Sequence, residues 1–180
     1  CSMATYQHIS HGFDPVFNER STVLVLGSFP SVLSRKNDFY YGNPQNRFWR
    51  VLAALAKEPV PETTSEKKEM LLSCGIALWD VIQECDIKGS SDASIKNVVP
   101  AQVGFITRTA PIKRVICNGA TAGRLYKKYL LYKVGFEAEV LPSTSPANAA
   151  WGFDRLSERW LAALDGVRPA TDDEVDSFEC

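Results

Sequence analysis

Four short apolar runs, rich in β-branched residues, punctuate the middle of this chain: Thr22-Val-Leu-Val-Leu-Gly27, Gly75-Ile-Ala-Leu-Trp-Asp-Val-Ile82, Ile112-Lys-Arg-Val-Ile-Cys117 and Ala138-Glu-Val-Leu141. A strand that is apolar on both sides must be covered on both faces, and such strands belong to parallel sheets. The segments between them repeat their apolar residues at helical spacing. Phe48, Trp49, Leu52, Leu55 and Ala56 follow the first run, and Leu125, Tyr126, Tyr129 and Leu130 follow the third. After the fourth run come Trp151, Leu156, Trp160, Leu161 and Leu164. Strands alternating with helices imply an α/β fold, a three-layer α/β/α sandwich around a mostly parallel four-stranded sheet.

A chain of 180 residues, 45% hydrophobic, suits one domain with one core. Residues 1–20 read as an N-terminal extension, 21–167 as the domain, and 168–180 as an acidic, disordered tail. The formal net charge is −1, which by itself argues against a polyanionic partner. The tail holds Asp172, Asp173, Glu174, Asp176 and Glu179, however, and without them the body carries 20 basic against 16 acidic residues. That distribution permits DNA as a partner and prescribes nothing. No run approaches the roughly 18 apolar residues of a membrane span, and no basic segment with an apolar signal core opens the sequence. A soluble, cytoplasmic monomer is expected. Cys1, Cys74, Cys85, Cys117 and Cys180 form no C-x-x-C pair and have no histidine nearby, so neither a metal nor another cofactor is expected.

In open parallel sheets the ligand crevice lies beyond the carboxyl ends of the strands. Attention therefore falls on the loops that begin at Gly27, Ile82, Cys117 and Leu141, and two of these are unusual. The first runs Gly27-Ser-Phe-Pro-Ser31 and then Phe39-Tyr-Tyr-Gly-Asn-Pro-Gln-Asn-Arg-Phe-Trp49. Asn43-Pro44 has the form of an N-cap followed by proline at the first helical position, which puts Asn46 in the first turn beside free N–H groups. Tyr40 and Tyr41 offer flat faces for an extruded base. On spacing alone Asn46 can equally be a polar residue that satisfies its turn, and the tyrosines can be core. Arg35, Lys36, Arg47 and Arg50 cluster here and can meet phosphates or water. The second loop, Leu141-Pro-Ser-Thr-Ser-Pro-Ala-Asn-Ala-Ala150, is small, hydroxyl-rich and stiffened by proline. Ser143, Thr144, Ser145 and Asn148 can grip a phosphate or line a groove, or simply cap the following helix.

Together and in this order, the two loops resemble the signature motifs of the uracil-DNA glycosylase superfamily. Mismatch-specific members carry G-I-N-P-G and then F-A-H-P-A-N-R-F-W, where this chain has G-S-F-P-S and Y-Y-G-N-P-Q-N-R-F-W. L-P-S-T-S-P-A-N-A resembles the superfamily's N-P-S or M-P-S loop. With Trp79-Asp-Val-Ile82 and Gly89-Ser-Ser-Asp92 added, residues 20–165 resemble the hypoxanthine-DNA (deoxyinosine) glycosylase branch. The catalytic asparagine of the mismatch-specific motif falls on Phe29, which cannot activate water. The resemblance gives the catalytic role to Asn46, the base-stacking role to Tyr41, and the shaping of the pocket floor to Ser28 and Phe29. Ser145 and Ala147 stand where mismatch-specific enzymes place a leucine wedge and an arginine, and Asn43 stands where related motifs show histidine.

The expected activity is monofunctional excision of a deaminated base from DNA, leaving an abasic site, with hypoxanthine favoured and no cofactor. Asn46 would position water through its carbonyl oxygen, while backbone amides near Ser28 stabilise the departing base. No lysine is placed by the motifs to form a Schiff base. A uracil- or uracil/xanthine-directed enzyme of the same superfamily is the alternative, and a silent DNA- or nucleotide-binding module is the rival from another class. A serine hydrolase is disfavoured: Gly27-Ser-Phe is no nucleophile elbow, and His8 and His11, the two histidines, precede the first apolar run.

Overall fold

The computed structural model describes residues 5–179. In chain order its strands are β1 (Gln7–Ser10), β2 (Val23–Gly27), β3 (Ile76–Asp80), β4 (Ile82–Ile87), β5 (Lys96–Pro100), β6 (Arg114–Asn118) and β7 (Ala138–Leu141). Its helices are α1 (Val32–Asn37), α2 (Phe48–Ala56), α3 (Thr64–Cys74), α4 (Gly104–Thr109), α5 (Ala120–Tyr129), α6 (Leu131–Val134), α7 (Phe153–Ala163) and α8 (Asp172–Glu179).

The central sheet is four-stranded and parallel, in the order β3-β2-β6-β7. Every residue of β2 and β3 is buried, as the continuous apolar runs require of strands covered on both faces. Helices α2, α3 and α7 pack together, as do α4, α5 and α6. Helix α2 turns Phe48, Trp49, Val51, Leu52 and Ala53 inward, and the fully buried Trp160 of α7 meets Phe48 edge-on at 6.1 Å between ring centroids. Burying one such large apolar side chain contributes roughly 1.5–3 kcal/mol. The α/β/α architecture with a four-stranded parallel sheet is the one the alternation of runs implies. Among the described residues, no helix is long and apolar enough to cross a membrane.

Several boundaries differ from the sequence reading, each for a local reason. The run Gly75–Ile82 is two strands: β3 stops at Asp80, Val81 N donates to Gly27 O at 2.8 Å, and the chain turns into β4. Strand β4 is the middle of a second, antiparallel sheet, β1-β4-β5. Residues 7–10 therefore belong to the fold rather than to an extension before it, and Val16 also bridges Leu78 in β3. The acidic tail is likewise structured within residues 172–179. Thr171 and Glu174 cap the start of α8, Val175 is buried, and Asp172 and Glu174 meet Arg20, Lys113 and Arg168. Those bonds, from Lys113 first and Arg168 second, hold the Glu174 carboxyl well below the usual carboxylate range. Composition suggested a solvated end; instead the segment is a helix paired with Lys113, Arg20 and Arg168.

Helix α3 is capped by a reciprocal Thr63–Glu66 box and is nearly uniform in polarity around its axis, so apolar spacing did not reveal it. Cys85 and Cys117 are buried and free, and burial pushes their thiols up to about 11 and about 12. Cys1 and Cys180 lie outside the described residues.

Candidate active site

Strands β3, β2 and β6 end side by side in Asp80, Gly27 and Asn118, and beyond them opens a cavity of about 450 Å³. Its walls come from the loops after β2 and β7 and from the Ser90–Asp92 segment. The volume is that of a small-molecule pocket and its position is the strand-end crevice of an open parallel sheet.

Gly27 occupies the centre of the floor. A Cβ there would sit 2.4 Å from Asp80 Oδ1 and 3.1 Å from Tyr41 Oη, so only glycine lets both polar groups close over the strand end. Tyr41 has a left-handed backbone, φ 52°, a strained conformation for an aromatic residue. Its ring lies 4.5 Å from that of Phe48, tilted by 32°. Its hydroxyl is buried and has no hydrogen-bond partner among the described residues. Burial, with the charge of Asp80 second, pushes the Tyr41 phenol far above its ordinary range, so it remains a donor. Tyr40, by contrast, is core: it is 2% exposed and its hydroxyl donates to Asp14 O at 2.8 Å.

Asn46 faces the cavity, but not from a helical first turn. Asn43 Oδ1 accepts from Gln45 N and Asn43 O accepts from Asn46 N, both at 2.9 Å, so residues 43–46 form a separate turn. Helix α2 begins only at Phe48, whose N–H donates to Asn46 Oδ1 at 3.0 Å. An Asx-type turn has displaced the Asn43–Pro44 helix start expected from sequence. The carboxamide of Asn46 thus has a fixed orientation, with one oxygen lone pair used and its NH₂ without a partner among the described residues.

The loop after β7 is held from beneath. Thr144 is fully buried: its N–H donates to Asn118 Oδ1 at 3.0 Å and its Oγ1 accepts from Asn118 Nδ2 at 2.9 Å. Arg47 reaches across from the first loop, its Nε and backbone N–H both donating to Thr144 O and its Nη2 to Ser145 O and Asn148 O. Nη1 donates to Trp151 O. The Arg47 guanidinium, which sequence left open to phosphates or water, is a clamp between loops, and Arg50 stacks on Phe153 at 3.9 Å. Ser143 Oγ accepts from Ser145 N, Ser145 Oγ from Ala147 N, and Asn148 Nδ2 donates to Ser143 O.

Of the residues singled out by sequence, Ser28, Phe29, Tyr41, Asn46, Ser143, Thr144 and Ser145 line this one cavity. Thr144 does so from a fully buried position with its polar atoms engaged, so it cannot be the exposed DNA contact expected of it. Asn148 is outside the lining and ties the loop to itself; the exposed tip is Pro146–Ala147.

The sequence reading gave no role to the lining residues Asp80, Asp92 and Asn118, nor to His11, which pairs with Asp80 from outside the lining. Ser28 Oγ lies 3.3 Å from Oδ1 of Asp92, a lining carboxyl raised above its ordinary range chiefly by burial. Asn118 ends β6. Asp80, 3% exposed, meets the buried His11 at 2.8 Å between Oδ2 and Nε2. Because His11 Nδ1 accepts from Phe13 N at 3.5 Å, the ring proton belongs on Nε2, which donates to Asp80. Asp80 and Asp92 stand inside the quoted Trp79-Asp-Val-Ile82 and Gly89-Ser-Ser-Asp92 motifs, the available signals; the 69-residue separation of His11 from Asp80 hid that pair.

The chain is similar to known proteins in sequence and in fold. The sequence profile of the uracil DNA glycosylase superfamily matches residues 15–164. A protein of Methanosarcina acetivorans named hypoxanthine DNA glycosylase is 38% identical over 158 residues, covering 87% of this chain and 98% of that protein. One of the same name from Methanosarcina barkeri is 34% identical over 139 residues, covering 76% and 87%. A solution NMR structure from Methanosarcina acetivorans, described as a uracil DNA glycosylase candidate, superposes with a TM-score of 0.73 at 35% identity, covering 85% of this chain and 94% of that one.

Proposed function

The chain belongs to the uracil-DNA glycosylase superfamily, and from that premise we propose that it is a monofunctional DNA glycosylase. It takes a deaminated base, hypoxanthine foremost, out of the DNA stack and hydrolyses the bond to the sugar, leaving an abasic site. The choice of hypoxanthine follows the names of two relatives, 38% and 34% identical. The observation that carries the reading is a single cavity that joins the Asn46 carboxamide, the Tyr41 ring and the loop after β7 at the strand ends.

Extrusion costs a few kcal/mol, least for a mispaired or damaged base, so selection begins at the duplex. The flipped base stacks against Tyr41, and the Ser143–Ala147 loop, stiffened by Arg47 and Thr144, supports the sugar and its phosphate. Asn46 has an oxygen lone pair left after capping Phe48, and this holds a water against C1′ of the sugar. Asparagine is a poor base, so bond breaking runs ahead of water attack and passes through a sugar with oxocarbenium character. The electron pair of the broken bond goes to the base, which takes a proton from solvent. Donors in the Ser28–Phe29 turn and the remaining N–H of Asn118 stabilise its negative charge. The water oxygen bonds to C1′ and its proton is lost to solvent. Among the described residues no lysine lines the cavity, and the reading is of hydrolysis without strand cleavage.

The test is a strand-break assay after alkali on duplexes bearing one deoxyinosine or one deoxyuridine, for wild type and Asn46→Ala. Inosine-dependent breaks that fall at least about 100-fold in the variant support the assignment. Breaks at uracil alone move the enzyme to that base, and DNA binding without breaks at either base makes the chain a silent binding module.

A further inference from the structure

Between Lys96 and Phe136 the chain carries eight lysines and arginines and no aspartate or glutamate, although its formal net charge is −1. Lys113 is paired with Glu174 and Arg114 with Glu139. Arg108 and Lys133 have no carboxylate partner among the described residues, and both stand on one groove of about 390 Å³ between β5, α4 and α6. The buried Val103 and Leu130 lie beneath it, while Val99 and Phe105 border it 45% and 50% exposed. The Phe105 ring is braced edge-on against Phe17 at 5.8 Å between centroids. The Arg108 guanidinium folds back over Gly104, where a Cβ would come within 2.8 Å of Nη1. The groove is thus apolar, half open to water and rimmed by cations alone.

Its place in the fold separates it from the candidate active site. Strands β6 and β7 are parallel neighbours, so α5 between them carries the chain back from the carboxyl ends of the strands toward the amino ends. Ten helical residues rise about 15 Å, which sets α6, with Lys133 and Val134, far from the cavity floor. Groove and cavity share no lining residue. Exposed apolar surface rimmed by polar groups marks an interaction site, and aromatic and arginine side chains carry much of the affinity at such sites. The cations select an acidic partner. A DNA duplex offers phosphates and polar groove edges but nothing to cover Val103 and Leu130, whereas an acidic peptide brings both carboxylates and an apolar side chain. We propose that this groove docks an acidic peptide segment of a partner protein. The segment's apolar anchor packs against Phe105 and Val99, and its flanking carboxylates pair with Arg108 and Lys133. The inference goes beyond the glycosylase reading and is independent of it: a partner held here leaves the cavity open to DNA.

The probe is a fluorescein-labelled peptide, Glu-Asp-Glu-Phe-Leu-Asp-Glu, blocked at both ends and titrated with the full chain by fluorescence anisotropy. Saturable binding is expected. It should weaken about tenfold or more when the peptide's Phe becomes Ser, when its acids become amides, and in Phe105→Ala. Arg108→Glu sets like charge against the peptide and should weaken binding further, whereas Lys68→Glu, the same charge change on the exposed side of α3, should leave it within about twofold. Thermal melting establishes that each variant is folded. Undamaged duplex added in excess should leave the peptide bound. Absence of binding, or equal losses in Arg108→Glu and Lys68→Glu, overturns the proposal. Displacement of the peptide by duplex, with duplex affinity falling in Arg108→Glu, makes this a nucleic-acid surface and overturns it too. So does self-association in sedimentation that Phe105→Ala abolishes, which makes the groove an interface between copies of the chain. No arm reads base excision, so the failure of this proposal and that of the glycosylase reading are distinguishable.

Discussion

In the loop after β7 the polar atoms are largely engaged within the protein: Thr144 with Asn118, the carbonyls of Thr144 and Ser145 with Arg47, the Asn148 carboxamide with Ser143 O. In the loop after β2 the opposite holds. Tyr41 has a strained backbone, and among the described residues neither its hydroxyl nor the Asn46 NH₂ has a partner. One loop is scaffold and the other holds unsatisfied groups in readiness, and Arg47 couples them. Free polar groups placed where a substrate arrives act without first breaking bonds to the protein, which is the basis of electrostatic preorganisation.

If that division is right, substitutions in the two loops should fail differently. Asn46→Ala should have the largest effect, at least about 100-fold on single-turnover excision, while its lost cap lowers stability by only about 1 kcal/mol, read from denaturant melts. Arg47→Met should do the reverse in kind. It strips donors from carbonyls of the second loop and should cost about 2–4 kcal/mol, with weakened DNA binding as the loop loosens. Thr144→Val keeps the shape but deprives Asn118 Nδ2 of its acceptor, for about 1–3 kcal/mol in the same melts.

The smallest effect lies far from both loops. The Glu174 carboxyl is held below its ordinary value of 4.5, so its interactions stabilise the fold fully above that range and lose their effect as pH falls through it toward the depressed value. The difference in melting temperature between wild type and Glu174→Gln should therefore be constant at neutral pH and shrink in acid. A difference that grows in acid would contradict the pairing with Lys113 and Arg168.

What sequence made legible follows the same contrast. Strand β2 was readable because burial on both faces demands an unbroken apolar run, and β6 through its buried Val115–Cys117 segment. The β3–β4 corner was not, since Val81 and Ile82 continue the apolar run across it while the chain changes sheets. Polar residues interrupting β4 and opening β5 concealed the second sheet. In the site, the motif placed Asn46 in the cavity, but the competing Asx turn that sets its orientation was invisible to helix-capping rules. The inward roles of Thr144 and Arg47 are not legible, because a hydroxyl in a loop can grip a phosphate, line a groove or cap a helix, and an arginine in a basic cluster can meet phosphates or water. Their inward roles depend on contacts spanning 26 and 97 residues.

The central claim is that this cavity releases a deaminated base by hydrolysis. It is tested most directly by mass spectrometry of the products from a duplex with one deoxyinosine under single turnover. The account predicts free hypoxanthine and a full-length strand bearing one abasic site, cut only after alkali. Recovery of the intact inosine strand, or enzyme-dependent cleavage before alkali, would contradict it.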